Sequence, residues 1–128
     1  MSTVRAGILA FAVYHLVIGL LMVVTPHLFF TDVGPFGHQN NHYLRDTASY
    51  NFAFAAALAA AYRFPSWRLP VLFCVTVQFA LHTINHLADI GEAHPYWLGP
   101  ADFASLLVAT LLLVRLTRVS ARTLEVSR

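Results

Sequence analysis

Lysine is absent from this chain, cysteine occurs once, and charge of either sign is sparse. Charged residues make up 11% of the 128 positions, under half the quarter or so that a soluble domain carries, so a water-exposed surface all round is excluded. All eight cations are arginines, and the net charge of +2 is too small and too scattered for a nucleic-acid surface. The single Cys74 lies in an apolar run, which rules out a disulfide framework and a cysteine-based zinc motif and leaves it as a small hydrophobe. No internal repeat or low-complexity segment divides the chain, and a single domain is expected.

Hydrophobic residues are abundant instead, at 58%. They gather into four stretches that predict helices at about 6–24, 43–62, 69–88 and 101–118, each close to the ~20 residues needed to cross hydrocarbon. The first follows Arg5 as a signal peptide would, but bulky residues stand where a small-residue cleavage site belongs, so a retained helix is expected. Pro26 closes it, 32–41 (DVGPFGHQNN) cannot continue a helix, 63–68 forms a tight basic turn, Gly91 and Pro95 break the third helix, and Pro100 suits the first turn of the fourth. From Val119 onward a frayed polar tail is expected. The fold class is therefore all-α, an integral four-helix membrane bundle.

An even number of crossings puts Arg5, the Arg63/Arg68 turn and Arg115, Arg118 and Arg122 on one face, with Arg45 alone among cations on the other. The positive-inside rule then predicts a multi-pass protein of the cell membrane with both termini cytoplasmic, and Trp67 and Trp97 fit opposite interfacial belts. The bilayer is the expected partner, with a second copy or another membrane subunit as a further one, and no nucleic acid.

Most of the ionisable residues left over lie toward the outer face, where buried polar groups mark a functional site. On the third helix Gln78, His82, Asn85, His86 and Asp89 fall within an arc of roughly 100°. On the second, His42, Arg45, Asp46 and Ser49 form another stripe, and the fourth adds Asp102 and Ser105. If the stripes face one another, they line a shared pocket.

His82-x-x-x-His86 stacks two imidazoles one turn apart, a spacing suited to zinc or another transition metal. His42 is the candidate third nitrogen, and Asp46 or Asp89 could ligate or orient a histidine. Zinc so held would make hydroxide from water near neutral pH, with Arg45 steadying an anionic ligand or pairing with Asp46. The competing structural reading has these side chains bonding across helices as a polar cluster. For His15, packing beside Ala12 and Gly19 is the plain reading. Haem between His15 and His82 is an alternative. His27, His38 and His94 read as loop or interface residues, and the alanines of 53–61 as close helix packing.

Two family resemblances rest on these residues. Arg5-Ala6-Gly7 through Gly19 to Pro26, followed by Arg45-Asp46-Thr47-Ala48-Ser49-Tyr50, resembles the small four-helix membrane proteins of the DoxX-like group. That resemblance implies an accessory or redox-linked membrane subunit, some members being linked to quinone-coupled complexes. His42-x-x-x-Asp46, Ser49 and His82-x-x-x-His86 are similar to the membrane zinc hydrolases of the alkaline ceramidase and adiponectin-receptor type. That resemblance implies zinc on His42, His82 and His86, water positioned by Asp46 and Ser49, and hydrolysis of a lipid-like substrate. The chain departs from those proteins in helix number and in the order of its serine and aspartate.

Overall fold

A computed structural model describes residues 3–126, with side chains as far as Thr123. It is all-helical, with no strand among the described residues: α1 (Thr3–Val24), α2 (Pro26–Asp32), α3 (Asn41–Arg63), a 3-10 turn (Pro65–Trp67), α4 (Arg68–Ala88) and α5 (Leu98–Val126). Each expected helix lies within a longer observed one. Pro26 ends α1 as expected and then opens α2, where its missing N–H costs nothing and its fixed φ suits the first turn. The tail expected to fray from Val119 continues as helix to Val126, because its arginine, leucine, alanine and glutamate are good helix formers and no glycine or proline interrupts them.

Three helical segments, Thr3–Val24, Pro65–Ala88 and Leu98–Thr123, are long and apolar enough to cross a membrane. Their outward faces carry Leu9, Val13, Leu16, Leu20, Phe73, Leu81, Ile84 and Leu111, all exposed, as a lipid-facing surface requires. α3 is less apolar. It opens on Asn40, whose side chain accepts from the amides of His42 and Tyr43 as an N-cap, carries several polar residues, and continues as alanines more than leucines.

The four long helices close a ring in the order α1, α3, α4, α5, with α1 packed chiefly on α3 and α4 on α5. Ile8, Leu58, Leu72, Val75 and Leu113 are fully buried at its centre. Between α1 and α3 the approach is close because Ala12, Gly19, Ala48 and Ala61 face inward. A methyl on Gly19 would stand 2.8 Å from the Phe52 ring, so glycine is what admits that phenylalanine. A second cluster of Met22, Phe29 and Ala48 fills the loop end of this hairpin. At the other end, the Arg5 guanidinium stacks on Tyr62, 4.5 Å from the ring centroid.

Two hydroxyl pairs bind α4 to α5: Thr76 with Thr117 and Thr83 with Thr110, each with oxygens 2.9 Å apart. Thr76 and Thr83 donate to the carbonyls of Leu72 and Phe79, one turn back. Each hydroxyl carries one proton, so Thr117 and Thr110 are the donors across the seam. Seven residues separate the pairs on both helices, which fixes the antiparallel register. A double-mutant cycle with Thr83→Val and Thr110→Val, followed by unfolding in micelles, should give a coupling of about 0.6 kcal/mol and no more than ~1.7. Strict additivity would mean the pair contributes nothing to the seam.

Candidate functional site

At the loop end of the ring lies a cavity of about 400 Å³, between α1, α2, α4, α5 and the connecting segment 33–40. α4 contributes Gln78, Phe79, His82 and His86, so most of the polar stripe expected on this helix does face inward. α5 contributes Asp102, Ser105 and Leu106, as expected for the first two. α1 adds Tyr14, His15, Ile18 and Met22, and α3 adds Asn51. Phe36, from the connecting segment, closes the cavity by packing edge-on against His86, with centroids 4.9 Å apart.

The remaining expected site residues lie elsewhere. On α3, His42, Arg45, Asp46 and Ser49 are all exposed and line no part of the cavity. His42 and Asp46 meet each other instead, Nε2 to Oδ2 at 3.5 Å across one turn, with side chains 79% and 59% exposed. The Ser49 hydroxyl donates to the carbonyl of Asp46 at 2.6 Å. Asp89 is exposed at the C-cap of α4. The expected facing of the α3 stripe onto the α4 stripe is therefore not what the fold makes. The inward face of α3 is Ala48, Asn51, Leu58 and Ala61, about half a turn away.

His82 and His86 do sit together, centroids 4.7 Å apart, but edge to face. Among the described residues, no group of three or more His, Cys, Asp or Glu side chains stands close enough to hold one metal ion. The three-nitrogen zinc set of His42, His82 and His86 is thus not assembled. His15 and His82, the pair considered for haem, both line the cavity. The His15 ring is hemmed by Tyr14, Phe54 and Phe79 at centroid distances of 5.3, 5.2 and 5.7 Å. His27 bonds to Gln39 at the surface, and His38 and His94 are exposed.

His15 carries more than packing. It is 2% exposed, and its Nδ1 lies 2.8 Å from the side-chain oxygen of Asn51. The Asn51 amide nitrogen donates to the carbonyl of Thr47 at 3.0 Å, which turns the oxygen toward His15. His15 Nδ1 is therefore the protonated nitrogen, and Nε2 of the neutral ring is an acceptor. No sequence spacing announces this pair, since its members are 36 residues apart.

What marks the cavity as a site is unfinished hydrogen bonding. His15 Nε2, Gln78 Oε1, His86 Nδ1 and Asp102 Oδ2 are each buried without a protein partner, and all four belong to side chains lining this one space. Unpaired buried polar atoms cost about 1–3 kcal/mol apiece, so four in one wall single this space out as the candidate site. The lining holds one carboxylate and no arginine or lysine, while Phe29, Phe36, Phe79 and Tyr14 supply flat apolar walls. Comparison of the chain with family models, curated proteins and solved structures gives no match.

The His15–Asn51 pair can be tested by itself. Asn51→Leu should destabilise the protein by about 1–3 kcal/mol, because it strands a buried N–H, whereas adding His15→Leu should recover part of the loss. Thermal unfolding in detergent measures both, and imidazole nitrogen NMR should show His15 protonated at Nδ1 only while Asn51 is present.

Proposed function

We propose that this is a four-pass membrane protein that binds the polar ring of an amphipathic molecule at the loop end of its bundle, and that the ligand class is a hydroquinone. The observation that carries the reading is the set of four unpaired polar atoms around one aromatic-walled cavity. Three of them, His15 Nε2, Gln78 Oε1 and Asp102 Oδ2, are acceptors, so the matching ligand brings donors. A hydroquinone has two O–H groups on opposite edges of a flat ring, and stacking against Phe36 and Phe79 suits that ring. The absence of arginine and lysine from the lining argues against a phosphate or fatty-acid head. The DoxX-like resemblance points the same way, toward an accessory subunit of quinone-linked redox chemistry.

α3 is the fourth crossing in this reading. Its place in the ring between α1 and α4 supports that, as do its buried alanines, which seal it against helices of spanning length. With four crossings, both termini and the Arg63/Arg68 turn share the cytoplasmic side. Single-cysteine variants of Cys74→Ala protein, placed at Ser66 and Gly37, should label from opposite sides of sealed vesicles. Labelling of both from one side would remove α3 from the membrane.

Binding is measured with decylubiquinol and decylubiquinone on protein in lipid nanodiscs. The quinol should bind more tightly, by about tenfold for each net hydrogen bond gained. Gln78→Leu and Asp102→Leu should each weaken quinol binding by about tenfold, while His42→Ala and Asp46→Ala leave it unchanged. Equal affinity for the two oxidation states, or binding of neither, would overturn the reading. A Soret band in the purified protein would favour haem at His15 and His82 instead.

A further inference from the structure

The polar cavity has an apolar neighbour. A second space of about 310 Å³ runs between α1 and α5, lined by Ala10, Phe11, Ala109 and Leu112. Tyr14, Phe79, Ser105 and Leu106 line both spaces, so the two adjoin across these side chains. The second is apolar throughout except at the shared Tyr14 and at Ser105, whose hydroxyl already donates to the Asp102 carbonyl at 2.9 Å.

The groove exists because α1 and α5 form the sparsest contact of the ring. Alanine stands on both its walls, at Ala10 and Ala109, and leaves space where larger side chains would close it. From Leu106 to Leu112 it follows α5 for about 9 Å at 1.5 Å per residue, away from the polar cavity and toward the middle of the helix. Leu112, at its far end, is 49% exposed on the lipid-facing surface.

We infer that the α1–α5 groove holds the apolar tail of the molecule whose head occupies the polar cavity, and that this molecule enters sideways from the bilayer. The inference rests on the head-group reading and extends it from a ring to a long-tailed hydroquinone. Tyr14 stands at the junction. Its ring packs on His15 on the polar side and on Phe79 at 5.8 Å, where head gives way to tail. Two adjoining spaces, one polar and aromatic and the other apolar, that share four lining side chains match a single amphipathic occupant better than two separate ones.

The test compares decylubiquinol with its tailless counterpart, 2,3-dimethoxy-5,6-dimethylhydroquinone, on wild-type protein and on Ala109→Trp, which fills the groove without touching the head cavity. Taking the ratio of the two affinities in each protein cancels the partition of the tail into lipid. Ala109→Trp should bind the tailless ring as wild type does and lose at least tenfold of the affinity for the tailed one. Ala10→Phe, from the opposite wall, should give the same selective loss, which keeps the test valid if one variant fails to fold. An unchanged ratio in a folded variant that still binds the tailless ring would overturn the groove alone. Failure of wild type to bind either ligand would overturn the head-group reading and this inference with it.

Discussion

A polar side chain closed off between helices in hydrocarbon has no water to fall back on, so its partner must come from another helix or from a ligand. This constraint divides the ring of four long helices into two unequal halves. Toward the termini the interior is Ile8, Leu58, Leu72, Val75 and Leu113, and the hydroxyl of Thr76 is engaged both along its own helix and across to α5, as is that of Thr83 beside the cavity. Toward the loops the same helices present His15, Gln78, His86 and Asp102 with bonds left unmade. The first half is built for stability, and it holds the second in register.

The register reaches the site through specific contacts. The two threonine pairs set α4 against α5 one heptad apart, which carries His86 to about the level of Leu106 and Leu107, with His82 and Gln78 about one and two turns deeper. On the other side, the close approach of α1 to α3 at Gly19 and Ala48 brings His15 within bonding distance of Asn51. Where α1 meets α5 the contact is the sparsest of the ring, and the apolar groove lies there. Tight seams on two sides and a loose one on a third would, in the proposed reading, make an aperture without any moving lid.

Much of this was legible in the residues. Four apolar stretches and their breakers located the four long helices, and the arc of Gln78, His82 and His86 located the polar face of α4. The stripe on α3 was misleading for a physical reason. Alanine from 53 to 61 gives that helix almost no periodic contrast, so its polar amino end set the apparent inward face. That end is exposed, so nothing forces His42, Arg45, Asp46 and Ser49 to point inward. His15 was underestimated because a lone histidine on an apolar helix has no local pattern, and its partner lies on another helix. The short α2 was hidden by the proline at its first turn, which marks an end and a beginning equally well.

The distribution of charge narrows what the cavity can accept. Seven described arginines are spread over the chain, yet none lines the cavity, and its one formal charge is the Asp102 carboxylate near the start of α5. A negatively charged head placed there would lose its hydration and meet a like charge, with no cation to offset either cost. A neutral head that donates hydrogen bonds meets neither penalty, and it relieves the cost already present in His15, Gln78 and Asp102 as they stand. In the proposed reading, the same wall that is expensive to leave incomplete would therefore select against the commonest lipid head groups around it. That selection would let the proposed site exclude the surrounding phospholipid while remaining open to it from the side.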